Sequence, residues 1–170
     1  VADIITGARV EVELTVPAAP AEFWRVVSDV TRIGEFSPEC VGASWLGSGT
    51  PAPGARFTGR NDFGDGVGEA VCEVTESVPG EVFAWVVLDQ HDDPRSPGSL
   101  WRYELAPAPG GGTRVRHTFE HGPGDSGVRH FLPEDPQEAT EFVQGRWVQL
   151  REHMTQTIEA MARREPDGVS

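Results

Sequence analysis

The last third of the chain carries a helical stripe. Val143, Trp147, Leu150, Met154, Ile158 and Met161 recur at spacings of three and four, so on a helix they share one face. Gln149, Glu152, Gln156, Glu159 and Arg163 fill the other. The stripe predicts a helix from about Pro136 to Arg164. Asp135 can cap it, Pro136 suits its first turn and Glu138 stands at capping-box spacing. Gly145 inside it costs about 1 kcal/mol relative to Ala. It either permits a close backbone approach or lets the helix bend around a cavity.

Before that stripe the period is two. Val10, Val12, Leu14 and Val16 alternate with Glu11, Glu13 and Thr15 until Pro17 ends the run. Two short helices follow, one from Pro20 with Phe23, Trp24, Val27 and Val30 as apolar positions, one over Asp29–Gly34. Strands then read at 41–46, 55–61, 67–77, 81–88, 100–105 and 113–121, separated by Gly- and Pro-rich turns. The segment 81–88 is apolar enough to be buried on both sides. The Gly64–Gly68 run joins two strands, so it is a turn and not a nucleotide loop. Seven strands precede one long amphipathic helix that must bury a Trp and two Met against them. A curved antiparallel sheet gripping one helix forms a container, and an internal ligand cavity is the expectation.

Composition narrows the functions. A chain of 170 residues reads as one domain spanning 1–170, with 1–8 and 165–170 frayed. The net charge of −13 repels nucleic acid and anionic headgroups. No apolar run reaches the length of a membrane span, and no basic-apolar leader is visible. Two cysteines, Cys40 and Cys72, form no C-x-x-C pair, which fits a reducing cytoplasm and argues against a disulfide framework or a zinc site. All 14 basic residues are Arg, so lysine Schiff-base chemistry is excluded. The expectation is a cytoplasmic monomer or homodimer with no metal and no cofactor.

The segments FWRVVSDVTRIGEFSPECVGASWL at 23–46, PGARFTGRN at 53–61 and SLWRYELAPAPGGGTRVRHTFE at 99–120 resemble the START/Bet v 1-like (SRPBCC) superfamily. More narrowly they are similar to its bacterial polyketide cyclase/dehydrase and lipid-transport group. The resemblance covers roughly residues 8–162. It implies an α+β helix-grip fold and a hydrophobic or polyketide-like small-molecule ligand. Its members include cyclases, hydrolases, lipid carriers and co-chaperones, so it does not choose an activity.

Candidate chemistry follows from facing. His117 lies with Val115 and Phe119 on the inward side of its strand, where an imidazole can serve as general acid or base, or simply as a bonded core histidine. His121 shares that face near the strand end. On a strand these two lie roughly 13 Å apart and cannot share one ion. Tyr103 faces inward beside Trp101 and can donate to a ligand carbonyl or pack as an aromatic. Counting back from the Pro109–Gly112 turn puts it and His117 at comparable distances from the turn, so a pairing between them is feasible. Asn61 falls inward with Phe57 and Gly59, as a ligand-orienting amide or a turn residue. Glu39 sits at the mouth, as a base or a solvated loop carboxylate. Arg56, Arg60, Arg102, Arg114 and Arg116 face outward among glutamates and read as cross-strand pairs. The His91–Asp92–Asp93 cluster lies in a Pro-containing loop and reads as a solvated rim.

His117, Tyr103 and Glu39 are therefore the catalytic candidates, and Phe57, Asn61, Trp101, Val143 and Trp147 the ligand-binding ones. Two function classes remain. One is a cyclase or dehydrase acting by acid/base chemistry. The other is a non-catalytic carrier or sensor of an apolar molecule. A co-chaperone would need a large exposed apolar patch that the alternation does not suggest.

Overall fold

The computed structural model describes residues 3–62 and 66–164. In chain order it contains β1 (Arg9–Val16), α1 (Pro20–Ser28), a 3-10 helix (Val30–Glu35), β2 (Cys40–Leu46), β3 (Arg56–Asp62), β4 (Val67–Val78), β5 (Val82–Val87), β6 (Ser99–Pro107), β7 (Thr113–His121), α2 (Gly127–His130) and α3 (Pro136–Ala162). The seven strands form one antiparallel sheet in the order β1-β7-β6-β5-β4-β3-β2. Strands β1 and β2 stand at opposite edges because α1 and the 3-10 helix carry the chain from one edge to the other. Register shifts at Cys40/Gly42 and Val74/Glu76 are bulges of the kind that bend strands. This is the α+β helix-grip fold, with a curved sheet around a long C-terminal helix.

Local chemistry accounts for the elements. The Asp135 carboxylate accepts from the backbone N–H groups of Gln137 and Glu138 at 3.0 Å each, satisfying donors that α3 would leave orphaned. The β6–β7 hairpin turns through Gly110, Gly111 and Gly112, all at positive φ. A Cβ at Gly112 would also run into the Val16 carbonyl. The turn fixes the register, and Tyr103 stands opposite His117.

The interior is graded from one end to the other. Near α1 it is dense: Phe23, Phe83, Leu105, Val115, Leu150, Met154, Ile158 and Met161 are all buried in the main hydrophobic cluster. The Trp24 indole reaches the Val82 carbonyl at 2.8 Å. Toward the start of α3 the same concave face opens. Asn61, Trp85, Val87, Ser99, Trp101 and Trp147 are only half-buried, and a Cβ added at Gly59 would meet nothing within 4 Å. β5 is buried on both faces as its composition predicts, from Val82, Ala84 and Val86 as well as Phe83.

Three expectations are modified. Residues 3–8 do not fray: Gly7 N–H donates to the His121 carbonyl at 2.8 Å and Ile5 is buried. The tail 165–170 lies outside the described residues. The Gly-rich stretch after β7 holds one short helix, α2, which no periodicity announced. Gly145 is exposed, and an added Cβ would meet nothing, so no close approach requires it. The variant Gly145→Ala should therefore gain about 0.5–1 kcal/mol in a urea melt, the ordinary helical preference. A loss of stability would mean that α3 needs glycine there.

Candidate functional site

The concave wall at the open end is an aromatic ladder built by cross-strand pairing. Trp85 on β5 and Trp101 on β6 stand opposite each other and stack at 6.1 Å with planes 5° apart. Phe57 on β3 packs edge-on to Trp45 at 5.5 Å and to Trp85 at 6.3 Å. Phe119 on β7 touches Trp101 at 4.9 Å and Trp147 of α3 at 5.5 Å. Strand alternation puts the strand residues among these on one face, and burial in the aliphatic core fixes which face.

His117 and Tyr103 form the polar centre of that wall. Their rings stack at 3.7 Å with planes 7° apart. His117 Nδ1 lies 3.0 Å from the Arg102 carbonyl. A carbonyl can only accept, so Nδ1 carries the proton and Nε2 holds a lone pair. Burial disfavours the charged ring and pushes its pKa down to about 4, while the carbonyl bond opposes that only partly. His117 is therefore neutral at pH 7. Burial pushes the Tyr103 phenol up, so it stays a donor.

Among the described residues, neither the Tyr103 hydroxyl nor His117 Nε2 has a hydrogen-bond partner. Sealed side-chain polar atoms without a hydrogen bond are limited there to Arg102 Nε, which lies 3.0 Å from Glu76 Oε2. The Tyr103 and His117 tips are thus not sealed, and each touches space that water can occupy. The two residues as a whole are nevertheless only 2% and 4% exposed.

The remaining predicted residues divide. Trp101 and Trp147 border the open end, with Trp101 Nε1 donating to Ser99 Oγ at 3.0 Å. Asn61 lies half-buried on the same wall, beside Cys40 and Gly68 in register. Phe57 is 5% exposed and covered by its aromatic neighbours. Val143 is buried at the start of α3 but stands outside the main cluster.

Glu39 is neither a free base nor a solvated loop residue. Arg146 of α3 grips its two oxygens at 2.6 and 2.8 Å, and His153 Nδ1 lies 2.5 Å from Oε2. Burial would raise its pKa, but the Arg146 hydrogen bonds and charge overcome this and hold it below the usual carboxylate value. Three of its roughly four lone-pair sites face Arg146 and His153, and the pKa held low makes it a weak proton acceptor.

His121 is also engaged. Nδ1 lies 2.7 Å from the Gly122 carbonyl and Nε2 2.7 Å from Ser126 Oγ. That spacing suits a nucleophile and its base, yet Ser126 Oγ also accepts from the Arg129 backbone and so caps α2. The pair pins the loop after β7. Sequence reasoning missed Arg146, His153 and Ser126, because their partners lie across the fold or in an aperiodic loop.

The outer face behaves as alternation predicts. Arg56 pairs with Glu73 and Asp92, Arg102 with Glu76, and Arg116 with Glu13. Such exposed pairs contribute little stability each. Depressions of about 440 Å³ on this convex face, beside Arg102 and Arg114, and about 190 Å³ between α1 and the end of α3 lie away from the aromatic wall. Burial raises the thiol pKa of Cys72 to about 12, leaving it inert. No helix among the described residues is long and apolar enough to cross a membrane. Among the described residues no group of three or more His, Cys, Asp or Glu is placed to hold a metal.

Comparison with known proteins agrees with this architecture. The polyketide cyclase-like protein Cgl2372 of Corynebacterium glutamicum is 28% identical, with a TM-score of 0.63 over 91% of this chain and 89% of that one. The Zhui aromatase/cyclase of Streptomyces sp. R1128 shares the fold at 16% identity, with a TM-score of 0.67 and 91% of each chain covered. Ara h 8.0201 does so at 15% identity, with a TM-score of 0.57 over 91% of this chain and 95% of that one. No match is found among curated proteins. Residues 7–163, from just before β1 to just past α3, match the family described as polyketide cyclase / dehydrase and lipid transport. With the sheet, the gripped helix and the aromatic wall all falling inside that span, the chain belongs to the polyketide cyclase/dehydrase and lipid transport family.

Proposed function

We propose that this protein binds a hydrophobic, polyketide-like molecule against the aromatic wall and promotes its cyclisation or dehydration. The observation that carries the reading is the Tyr103–His117 stack. Two polar tips without protein partners, set in an apolar wall, are unusual unless a ligand or water completes them. Stacked indoles suit a flat conjugated chain, and the half-buried edges of Trp85, Trp101 and Trp147 give it a surface.

The chemistry follows from the two protonation states. A methylene between two ketones loses a proton readily. His117 Nε2 takes that proton, and the Tyr103 hydroxyl donates to the enolate oxygen that forms. The enolate carbon then attacks a second ketone of the same chain, closing a ring. The His117 imidazolium returns its proton to the alkoxide so formed, which leaves an alcohol and a neutral ring. In the dehydration, His117 Nε2 takes the second proton from the same carbon, the C–O bond breaks as the double bond forms, and that proton passes to the departing hydroxyl, which leaves as water. A pKa near 4 makes the free-enzyme imidazole a weak base. An adjacent enolate favours the charged ring, so the proton transfer is helped as it happens. Asn61, on the same wall, orients a polar end of the chain.

One observation favours the second reading, a carrier that performs no chemistry. Glu39 is committed to Arg146 and His153, which leaves the wall without a charged catalytic group. Native mass spectrometry of freshly purified protein, followed by incubation with a linear 1,3-polyketone monitored for aromatic absorbance, separates the readings. The cyclase reading expects a bound conjugated molecule and turnover. Bound apolar ligand with no turnover of any polyketone gives the carrier, and no bound ligand with no binding of added apolar molecules contradicts both.

A further inference from the structure

Helix α3 is held differently on its two sides. Toward β1 the backbones approach closely, and Arg151 Nη1 donates to the Glu11 carbonyl at 2.7 Å. Toward β2 the tie is the charged cluster on Glu39. Arg146 and His153 are seven residues apart, two helical turns, and so share a face. Both converge on the one carboxylate at 2.5–2.8 Å, and the three side chains are only 14–23% exposed.

Glu39 itself is firmly mounted. Ser37 Oγ accepts from the Glu39 and Cys40 N–H groups at 3.1 and 2.9 Å. The Glu39 carbonyl accepts from Asp62 N–H at 3.0 Å. The aromatic wall, with its open space at Gly59, lies between the two sides. Polar groups at the rim can exchange partners with water, whereas apolar packing cannot be undone without exposing it.

We propose that the Glu39–Arg146–His153 cluster is a latch that holds α3 closed over the wall, and that its opening sets the rate at which a hydrophobic ligand passes beneath the helix. The side on β1 acts as the hinge. This inference rests on the ligand site proposed above.

The test uses a double variant, Glu39→Gln with Arg146→Met, which removes both charges and strands neither. Stopped-flow fluorescence with the neutral probe N-phenyl-1-naphthylamine reads uptake and release. Amide hydrogen exchange reads α3 without any ligand. In the variant, association and dissociation should both quicken about tenfold or more, with Kd within about threefold. Exchange should quicken about tenfold in residues 140–153 while the helix around Ile158 keeps its protection. Unchanged rates, or exchange quickened equally through α3 and the sheet, would overturn the latch, since the cluster would then be only a staple. If the probe binds neither protein, the ligand site fails and the uptake role with it. Unchanged exchange in residues 140–153 separately rejects the latch.

Discussion

Replacing Phe83 by Ala will cost about 3–5 kcal/mol of stability, the range for a buried aromatic truncated to Ala. Phe83 is 0% exposed and sits at the dense end, 6.5 Å from Trp24 and 5.7 Å from Trp85. Its neighbours are themselves anchored, Trp24 by the Val82 carbonyl, so the site cannot collapse to fill the void. Trp147→Ala removes a larger ring, yet it should cost much less. That indole is half-buried at the open end, where it packs on Phe119 and His121. Truncation there enlarges a space already open to water. Urea melts of the two variants measure the difference. A Trp147→Ala cost equal to that of Phe83→Ala would mean that the open end is dry packing.

The second large effect belongs to His117. Its folded-state pKa of about 4 lies below the ordinary imidazole value of 6.5, so the unfolded chain binds the proton more readily. The stability it contributes is fully present above pH 6.5 and is lost as the pH falls from 6.5 through 4. A shift of this size is on the order of 3 kcal/mol. His121, also depressed by burial, adds a loss in the same direction. His117→Gln keeps a side chain able to bond the Arg102 carbonyl but cannot titrate. Its stability should fall less steeply over pH 6.5–4 than that of the wild type. The same variant should abolish polyketone turnover while leaving ligand affinity within about tenfold, roughly 1.4 kcal/mol. Normal turnover would reduce His117 to a packing residue.

Much of this was legible because antiparallel strands declare themselves by alternation. Arg114 and Arg116 face out while Val115 and His117 face in, and counting from the turn makes a Tyr103–His117 pairing feasible, which the register of the hairpin then fixes. The helix stripe and its Asp135 cap were equally local. What was not legible depends on contacts between distant segments. Glu39 and Arg146 are 107 residues apart, and no periodicity links a loop carboxylate to a helix flank. Residues 3–8 lack a pattern because they are held by the His121 backbone and by isolated contacts, the burial of Ile5 and the Arg129–Thr6 hydrogen bond, rather than by a periodic face. Facing also cannot say how far a wall is covered. Tyr103 and Trp101 share one face of one strand, yet one is 2% exposed and the other half-buried.

The central claim is that a hydrophobic molecule binds on the concave wall at the open end, and the five tryptophans offer a direct reading of it. The indole N–H resonances should be followed by 1H–15N NMR while a neutral planar hydrophobe is titrated in. Trp85, Trp101 and Trp147 should shift in step with saturation. Trp24, whose indole is bonded to Val82 at the dense end, should stay still. Movement of Trp24 alone, or no indole movement as the ligand saturates, would contradict the account.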